Sequence, residues 1–210
     1  MQDRVLPKGS KELLARLAQQ KSPVMRGWVL AGGTGLALWF GHRLSDDFDF
    51  FRNDGMDLPG LHGVFRKLGT YETLQEAENT LSILAWGTKI SFFQIPDPFL
   101  FEPRPHRFFS LADIRDIALM KLIAISARGS RKDFVDLYSI LRNGIPLEDC
   151  FRLLPDKYGP GRANAYHILK SLTYFEDAEK EPLPRMLVPF DWKECKSFFI
   201  REAHAIVLPP

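Results

Sequence analysis

Cysteine is scarce in this chain of 210 residues, which contains only Cys150 and Cys195. The two are isolated and form no CxxC pair, which argues against a disulfide framework and against a zinc site of the usual spacing. A chain of this length buries about 70% of the surface of its extended form, so it needs no such cross-link. We therefore expect two buried thiols in a reducing compartment.

Long apolar stretches and a strong net charge are also missing. No run of about 18 residues lacks charges or a glycine cluster, so we expect no membrane span. The first residues lack the charged start and apolar centre of a secretory signal, which favours a cytoplasmic protein. The formal net charge of +2 does not by itself predict nucleic-acid binding. We interpret the small basic cluster of Arg104, His106 and Arg107 as a solvated loop.

The segment Trp28–Phe51 carries the main functional signal. It opens on a short apolar run that predicts a buried strand, and Gly32, Gly33 and Thr34 follow just before a predicted helix. Glycine lets a backbone approach phosphate oxygens, and the start of a helix offers unpaired N–H groups. The motif is neither GxGxxG nor a Walker loop. Taken alone, the glycine pair fits either phosphate binding or plain turn geometry.

Two carboxylates, Asp47 and Asp49, alternate with phenylalanine farther along the same segment. On a strand, side chains two residues apart share a face, so both carboxylates are expected to point the same way. Like charges this close repel unless a cation lies between them, and Mg²⁺ binds carboxylates together with substrate phosphates. A solvated strand edge is the alternative. A glycine turn followed by such a pair predicts phosphoryl or nucleotidyl transfer.

A second group of charges lies in the helical half of the chain. Lys121 interrupts a strongly apolar predicted helix, and Arg128 lies two turns farther along on the same side. Asp133 and Asp136 follow on the next predicted helix. One interpretation is an ion pair that ties the two helices together. The other is that Lys121 and Arg128 bind a triphosphate, while one aspartate orients or deprotonates a reacting group.

Periodicity and turn residues predict an ordered series of elements. A strand, a helix and a second strand in the Trp28 segment precede a helix over Leu58–Leu68 and a meander of three strands. Ser10 is predicted to cap the first helix, and Ser110 the first helix of a mostly helical second half. The meander strands are expected at Tyr71–Glu76, Leu81–Trp86 and Lys89–Ile95, and the other helices at Lys11–Gln20, Ser110–Ala127, Arg131–Leu141, Pro146–Leu154, Arg162–Leu172 and Asp191–Ala205.

Two stretches of the chain resemble a known family. The first motifs of the AbiEii/AbiGii-type nucleotidyltransferases are similar to LAGGTGLALWFGHRLSDDFDFF, and their later Lys/Arg and KDxxDL motifs are similar to SLADIRDIALMKLIAISARGSRKDFVDLYSIL. These proteins are toxins of type IV toxin–antitoxin and phage-defence pairs in the DNA polymerase β-like nucleotidyltransferase superfamily. The resemblance spans residues 25–142. It implies an α+β fold, with a mixed sheet and flanking helices in residues 1–109 and a helical region packed on this core in residues 110–210.

The resemblance also implies an activity, which is metal-dependent transfer of a nucleoside monophosphate from an NTP to an acceptor. For related toxins the acceptor is RNA, notably the 3′ end of tRNA, and a cognate antitoxin is the expected partner. Mg²⁺ or Mn²⁺ would be the ion. By the match, Gly32, Gly33, Thr34 and Arg43 would contact phosphate, Asp47 and Asp49 the metal, and Lys121 the triphosphate, with Asp133 or Asp136 completing the catalytic set.

The chain departs from the superfamily pattern at one strand. Many members carry a third carboxylate there, whereas the best-matching position of this chain is Ser91. Glu72, Glu76 and Asp97 are nearby in sequence, and Asp133 could take the role instead. Two further hypotheses therefore accompany the leading one. In the first, the chain is a non-catalytic relative that binds either a nucleotide or a partner protein. In the second, it is an enzyme whose acceptor is a protein or a small molecule.

Overall fold

A computed structural model describes residues 2–208 of the chain. Contacts between Cα atoms divide it into two compact units, one up to Asp113 and the other from Ile114 onward. The first unit contains the short 3-10 helices Asp3–Val5 and Pro23–Met25, the helices α1 (Lys8–Gln20), α2 (Gly32–Phe40) and α3 (Leu58–Leu68), and the strands β1 (Val29–Leu30), β2 (Phe48–Arg52), β3 (Glu72–Ala77), β4 (Thr80–Ala85), β5 (Thr88–Gln94), β6 (Arg104–His106) and β7 (Phe109–Leu111).

The strands form one mixed sheet in the order β3-β4-β5-β2-β1-β7-β6. The pairs β2–β5 and β1–β7 are parallel and the others antiparallel. Trp86 and Gly87 both have positive φ, as a two-residue type I′ turn requires, and they join β4 to β5. This turn sets the register that places Ser82 opposite Ser91.

One face of the sheet carries the aromatic core of the first unit. Phe50 stacks on Phe92 with ring centroids 5.5 Å apart, and both are fully buried with the apolar residues of α1 and α3. Side chains alternate across a strand, so Asp49 of β2 and Ser91 of β5 lie on the opposite face. The phenylalanine-rich sequence thus builds the core and presents its polar residues on the other side.

The second unit is helical. Its core gathers around Phe134, whose ring lies 5.1 Å from Phe175 and 5.4 Å from Phe199. Within residues 2–208, every helix is too short or too polar to traverse a lipid bilayer. The helices of this unit are α4 (Ile114–Arg128), α5 (Arg131–Arg142), α6 (Leu147–Tyr158), α7 (Ala165–Ser171), α8 (Glu176–Lys180) and α9 (Trp192–Ala205).

The predicted fold class is confirmed, and so are the helix over Leu58–Leu68 and the three-strand meander. The two predicted serine caps are wrong. Ser10 lies inside α1, where its hydroxyl pairs with Thr88, and Ser110 lies in β7. Arg104 and His106, which were interpreted as part of a solvated loop, lie in β6 of the β6–β7 hairpin, and α8 was not predicted. These elements are short, and prolines flank or interrupt the sequence around them, so local periodicity carries little signal there.

Candidate functional site

The glycine pair lies within the first turn of α2, directly after β1 and Ala31. Gly32 has φ +62°, a left-handed conformation that favours glycine. A Cβ atom at this position would lie 3.0 Å from Oδ2 of Asp49. The Ala31 amide also donates to the Asp49 carbonyl oxygen at 3.1 Å. The absent side chain therefore lets the start of a helix lie directly beside a carboxylate of the neighbouring strand.

Thr34 ties α2 to the segment that carries the first aspartate. Its buried hydroxyl hydrogen-bonds with the Ser45 hydroxyl at 2.7 Å and donates to the carbonyl oxygen of Asp47. Arg43 is also buried, and its guanidinium donates to the Leu44 carbonyl at 3.0 Å. Both side chains thus hold the loop before β2 in place. Their predicted contacts with phosphate stay predictions.

The two aspartates differ in setting. Asp47 is exposed and lies just before β2, not within it as predicted, whereas Asp49 is half-buried in the strand. Among the described residues, His, Cys, Asp and Glu side chains form no group of three that could hold a metal ion. Two carboxylates nevertheless suit Mg²⁺, which is usually held by one or two acids together with substrate phosphates. The donor set therefore fits a cation that arrives with a nucleotide.

Ser91 occupies the position beside Asp49 on the parallel strand β5. Its buried hydroxyl accepts a hydrogen bond from Ser82 on β4 at 2.9 Å. A polar row, Asp49–Ser91–Ser82, therefore crosses three neighbouring strands on the face opposite the aromatic core. One of two paired hydroxyls thus occupies the position where the family resemblance predicts a third acid.

The acids considered as replacements lie elsewhere in the sheet. Glu76 accepts from His62 of α3 at 3.0 Å, so its side chain is on the core face. Asp97 lies beyond the last residue pair between β2 and β5, whereas Asp49 lies near the other end of these two strands. Glu72 is on the edge strand β3, three strands from β2, which is about 14 Å at the usual strand spacing. None of them shares a site with Asp49.

The second charge cluster joins α4 to α5. Lys121 Nζ lies 2.8 Å from Oδ1 of Asp133 and 2.6 Å from Oδ2 of Asp136, and all three residues are buried. Arg128 adds a bidentate contact to Asp133, with N–O distances of 2.7 and 3.0 Å, while its own side chain is 58% exposed. The structure thus contains the helix-tying ion pair, which was one of the two interpretations of these residues.

Burial and charge act in opposite directions on Asp133. Burial by itself would raise the pKa of this carboxyl, but Lys121 and Arg128 hold the pKa below its usual range. Asp133 is therefore an anion whose two carboxylate oxygens contact two cations, which is the arrangement of a structural ion pair. The catalytic role predicted for Asp133 or Asp136 stays a prediction.

A second buried ion pair was missed at the sequence level. Lys157 Nζ of α6 lies 2.7 Å from Oδ1 of Asp116 on α4, and both side chains are almost completely buried. A signal was available, since Lys157 lies three residues after Leu154 and seven after Cys150 on the buried face of α6. A lysine in such a stripe requires a buried anion.

The contact between Gly32 and Asp49 can be tested with Gly32→Ala. The left-handed backbone should cost about 1–2 kcal/mol, and the new methyl group would push the carboxylate of Asp49 away. We expect lower stability in urea unfolding together with loss of any Mg²⁺–NTP binding measured by calorimetry. Gly63→Ala is the matched control, because a Cβ at this position in α3 would meet open space. This substitution should stabilise the protein by about 0.5–1 kcal/mol. Normal binding by Gly32→Ala would contradict this interpretation.

Comparisons with known proteins show what the chain is similar to. The family model of the AbiEii nucleotidyl transferase toxin of type IV toxin–antitoxin systems matches residues 13–96, which contain the glycine pair, both aspartates and Ser91. The chain is also 36% identical over 204 residues to the uncharacterized protein aq_aa25 of Aquifex aeolicus, a match that covers 95% of this chain and 96% of that protein.

Solved structures share the fold at low sequence identity. The nucleotidyltransferase toxin MenT4 of Mycobacterium tuberculosis superposes with a TM-score of 0.59 and 15% identity, over 93% of this chain and 80% of that one. A putative nucleotidyltransferase from H. pylori gives 0.54 and 15%, over 93% and 92%. The fold is thus that of the nucleotidyltransferases. Residues 13–96 of the chain belong to the AbiEii family of nucleotidyltransferase toxin domains.

Proposed function

We propose that the chain transfers a nucleoside monophosphate from an NTP to an RNA acceptor in a metal-dependent reaction. The observation that carries the proposal is the contact between the start of α2 at Gly32 and the carboxylate of Asp49. This contact supports the proposal because the start of a helix favours phosphate and a carboxylate favours a hard cation. Residues 1–109 would form the nucleotidyltransferase core and residues 110–210 the helical region.

The start of α2 has the chemistry to bind the phosphates. The first N–H groups of a helix have no partner within it, and the helix dipole favours negative charge there. At Gly32 and Gly33 no side chain blocks the approach of a phosphate oxygen. Thr34 keeps the loop with Asp47 against the same helix. The chain itself would thus position the triphosphate next to both aspartates.

Asp47 and Asp49 would hold the cation. A divalent ion bound there would neutralise phosphate charge and orient the NTP for in-line attack. The exposed Asp47 can move toward an incoming ion, whereas Asp49 is fixed by its strand. Membership of a toxin–antitoxin family supports a cognate antitoxin as the protein partner.

A second candidate function is nucleotide binding without catalysis. The observation that favours it is the Ser82–Ser91 pair beside Asp49, where a neutral hydroxyl supplies neither the negative charge nor the base of a carboxylate. This alternative predicts NTP binding in the presence of Mg²⁺ with no transfer to any acceptor.

Labelled NTPs supplied with a cell lysate and Mg²⁺ or Mn²⁺ distinguish these functions. We expect label in the RNA fraction, and a metal chelator should abolish it because two carboxylates alone do not bind the triphosphate. Label in protein or small molecules would show that the acceptor is not RNA. Calorimetric binding of NTP without label in any fraction would favour the non-catalytic relative.

A further inference from the structure

The helical unit contains a cavity of about 350 Å³ between the end of α4 and one face of α7. His167, Lys170, Ser171 and Tyr174 line it at the spacing i, i+3, i+4 and i+7, so they follow one side of the helix and of the turn after it. The ring of His167 is anchored, with Nε2 3.2 Å from the Ser126 carbonyl oxygen of α4. The cavity therefore has a defined wall on each side.

Two basic side chains and one acid line this cavity. Arg128 and Lys170 are exposed, and Arg128 also pairs with the buried Asp133. The acid in the lining is Asp177, whose charge is compensated by Lys180 at 2.9 Å. The Tyr174 residue is 49% exposed, and its hydroxyl donates to Glu176 at 2.9 Å. An aromatic ring is thus held at the rim of a pocket that two basic side chains line.

We propose that this pocket binds single-stranded RNA, with Lys170 and Arg128 at backbone phosphates and the Tyr174 ring stacked on a base. Exposed aromatic rings beside basic side chains are how proteins hold unpaired nucleotides. The pocket has neither the glycine turn nor the carboxylate pair of the first unit, so it lacks the groups that favour a metal-bound triphosphate. The proposal rests on the proposed function in one respect, since it supplies a site for the RNA acceptor.

The test is fluorescence anisotropy of a labelled single-stranded RNA oligonucleotide titrated with the full chain. Tyr174→Ala should weaken binding about 5- to 150-fold, the usual effect of removing a stacking ring, whereas Tyr174→Phe keeps the ring and should bind normally. Lys170→Gln should reduce the slope of log affinity against log salt concentration by about 1, which is the contribution of one phosphate contact. The matched controls are Tyr166→Ala, which removes a tyrosine that is 63% exposed outside the cavity, and Lys193→Gln on α9.

Several outcomes would overturn the proposal. Equal effects of Tyr174→Ala and Tyr166→Ala would show that the pocket is not the RNA site. Equal competition by an acidic peptide would indicate a protein partner instead. If Tyr174→Ala lost NTP affinity, measured by calorimetry, by the same factor as RNA affinity, the pocket would be a binding site for the NTP instead.

The proposed function can fail separately from this proposal. Asp49→Asn should lose transfer but bind the RNA normally, because Asp49 lies outside the pocket. If the labelled-NTP experiment finds a protein acceptor and the RNA still binds in a Tyr174-dependent manner, the acceptor assignment is wrong and the pocket assignment stands. Loss of RNA binding in Tyr174→Ala with unchanged NTP binding supports the pocket whatever the acceptor is.

Discussion

Asp49→Asn is expected to abolish nucleotidyl transfer while leaving the fold intact. Asparagine has the same shape as aspartate and keeps the β2 hydrogen bonds, but it removes one of the two anionic ligands proposed for the cation. Removing a residue that only hydrogen-bonds to a metal ligand lowers metal affinity or activity about 10- to 100-fold. Removing the ligand itself should therefore lower the transfer rate at least about a hundredfold. The measurement is label incorporation into RNA at saturating Mg²⁺, with thermal unfolding as the check on folding.

The motif supplies its own control. Asp46 precedes Asp47 directly and is also exposed, and its backbone carbonyl accepts a hydrogen bond from Ser10, which a substitution of the Asp46 side chain leaves in place. Asp46→Asn should therefore retain transfer, and Asp47→Asn should lose it. Full activity in Asp49→Asn, or equal losses in all three variants, would rule out the proposed metal site.

Lys121→Met should destabilise the protein by about 3–5 kcal/mol. This substitution removes the ammonium group 2.6 Å from the buried Asp136 and one of the two cations beside Asp133. Breaking one side of a buried pair costs this much because an uncompensated charge stays out of water. Urea unfolding measures the loss. Lys132→Met, at an exposed position on α5, is the control and should change the stability by less than about 0.5 kcal/mol.

A double variant separates the stabilising role of Lys121 from the predicted contact with triphosphate. In Lys121→Met/Asp136→Leu the buried charge pair is replaced by two apolar side chains, which is often neutral for stability. A folded double variant that still transfers label would exclude a role for Lys121 in catalysis. A folded but inactive one would support the contact that the family resemblance implies. If the single variant is as stable as the parent chain, the ion pair has no stabilising role.

Local patterns in the sequence predict one part of the site, and contacts between distant residues determine the rest. The glycine pair and the aspartates could be located because each needs only its neighbours: a strand, a helix start and an alternation with phenylalanine. The helix over Leu58–Leu68 has the same local origin. By contrast, the register that puts Ser91 beside Asp49 depends on strand pairing, and the Lys157–Asp116 pair joins residues from two helices.

The predicted helix cap at Ser110 shows the same limit. Its local pattern fits a capping box, but the segment Phe109–Leu111 instead pairs with β1 and β6. Strand pairing satisfies the backbone groups of three residues at once, whereas a cap satisfies one or two. Tertiary pairing therefore overrides a correct local signal, and only a structure reveals the outcome.

The hydroxyl pair of Ser82 and Ser91 bears on the order in which ligands bind. Since this pair stands beside Asp49 in place of the acid that the resemblance predicts, the proposed metal site would offer a cation few ligands, and the nucleotide would supply the others. Cation and NTP should then bind as reciprocally coupled ligands, each raising the affinity for the other by the same factor. Occupancy of the proposed metal site would therefore follow the NTP concentration, and the site would hold its ion only when substrate is present.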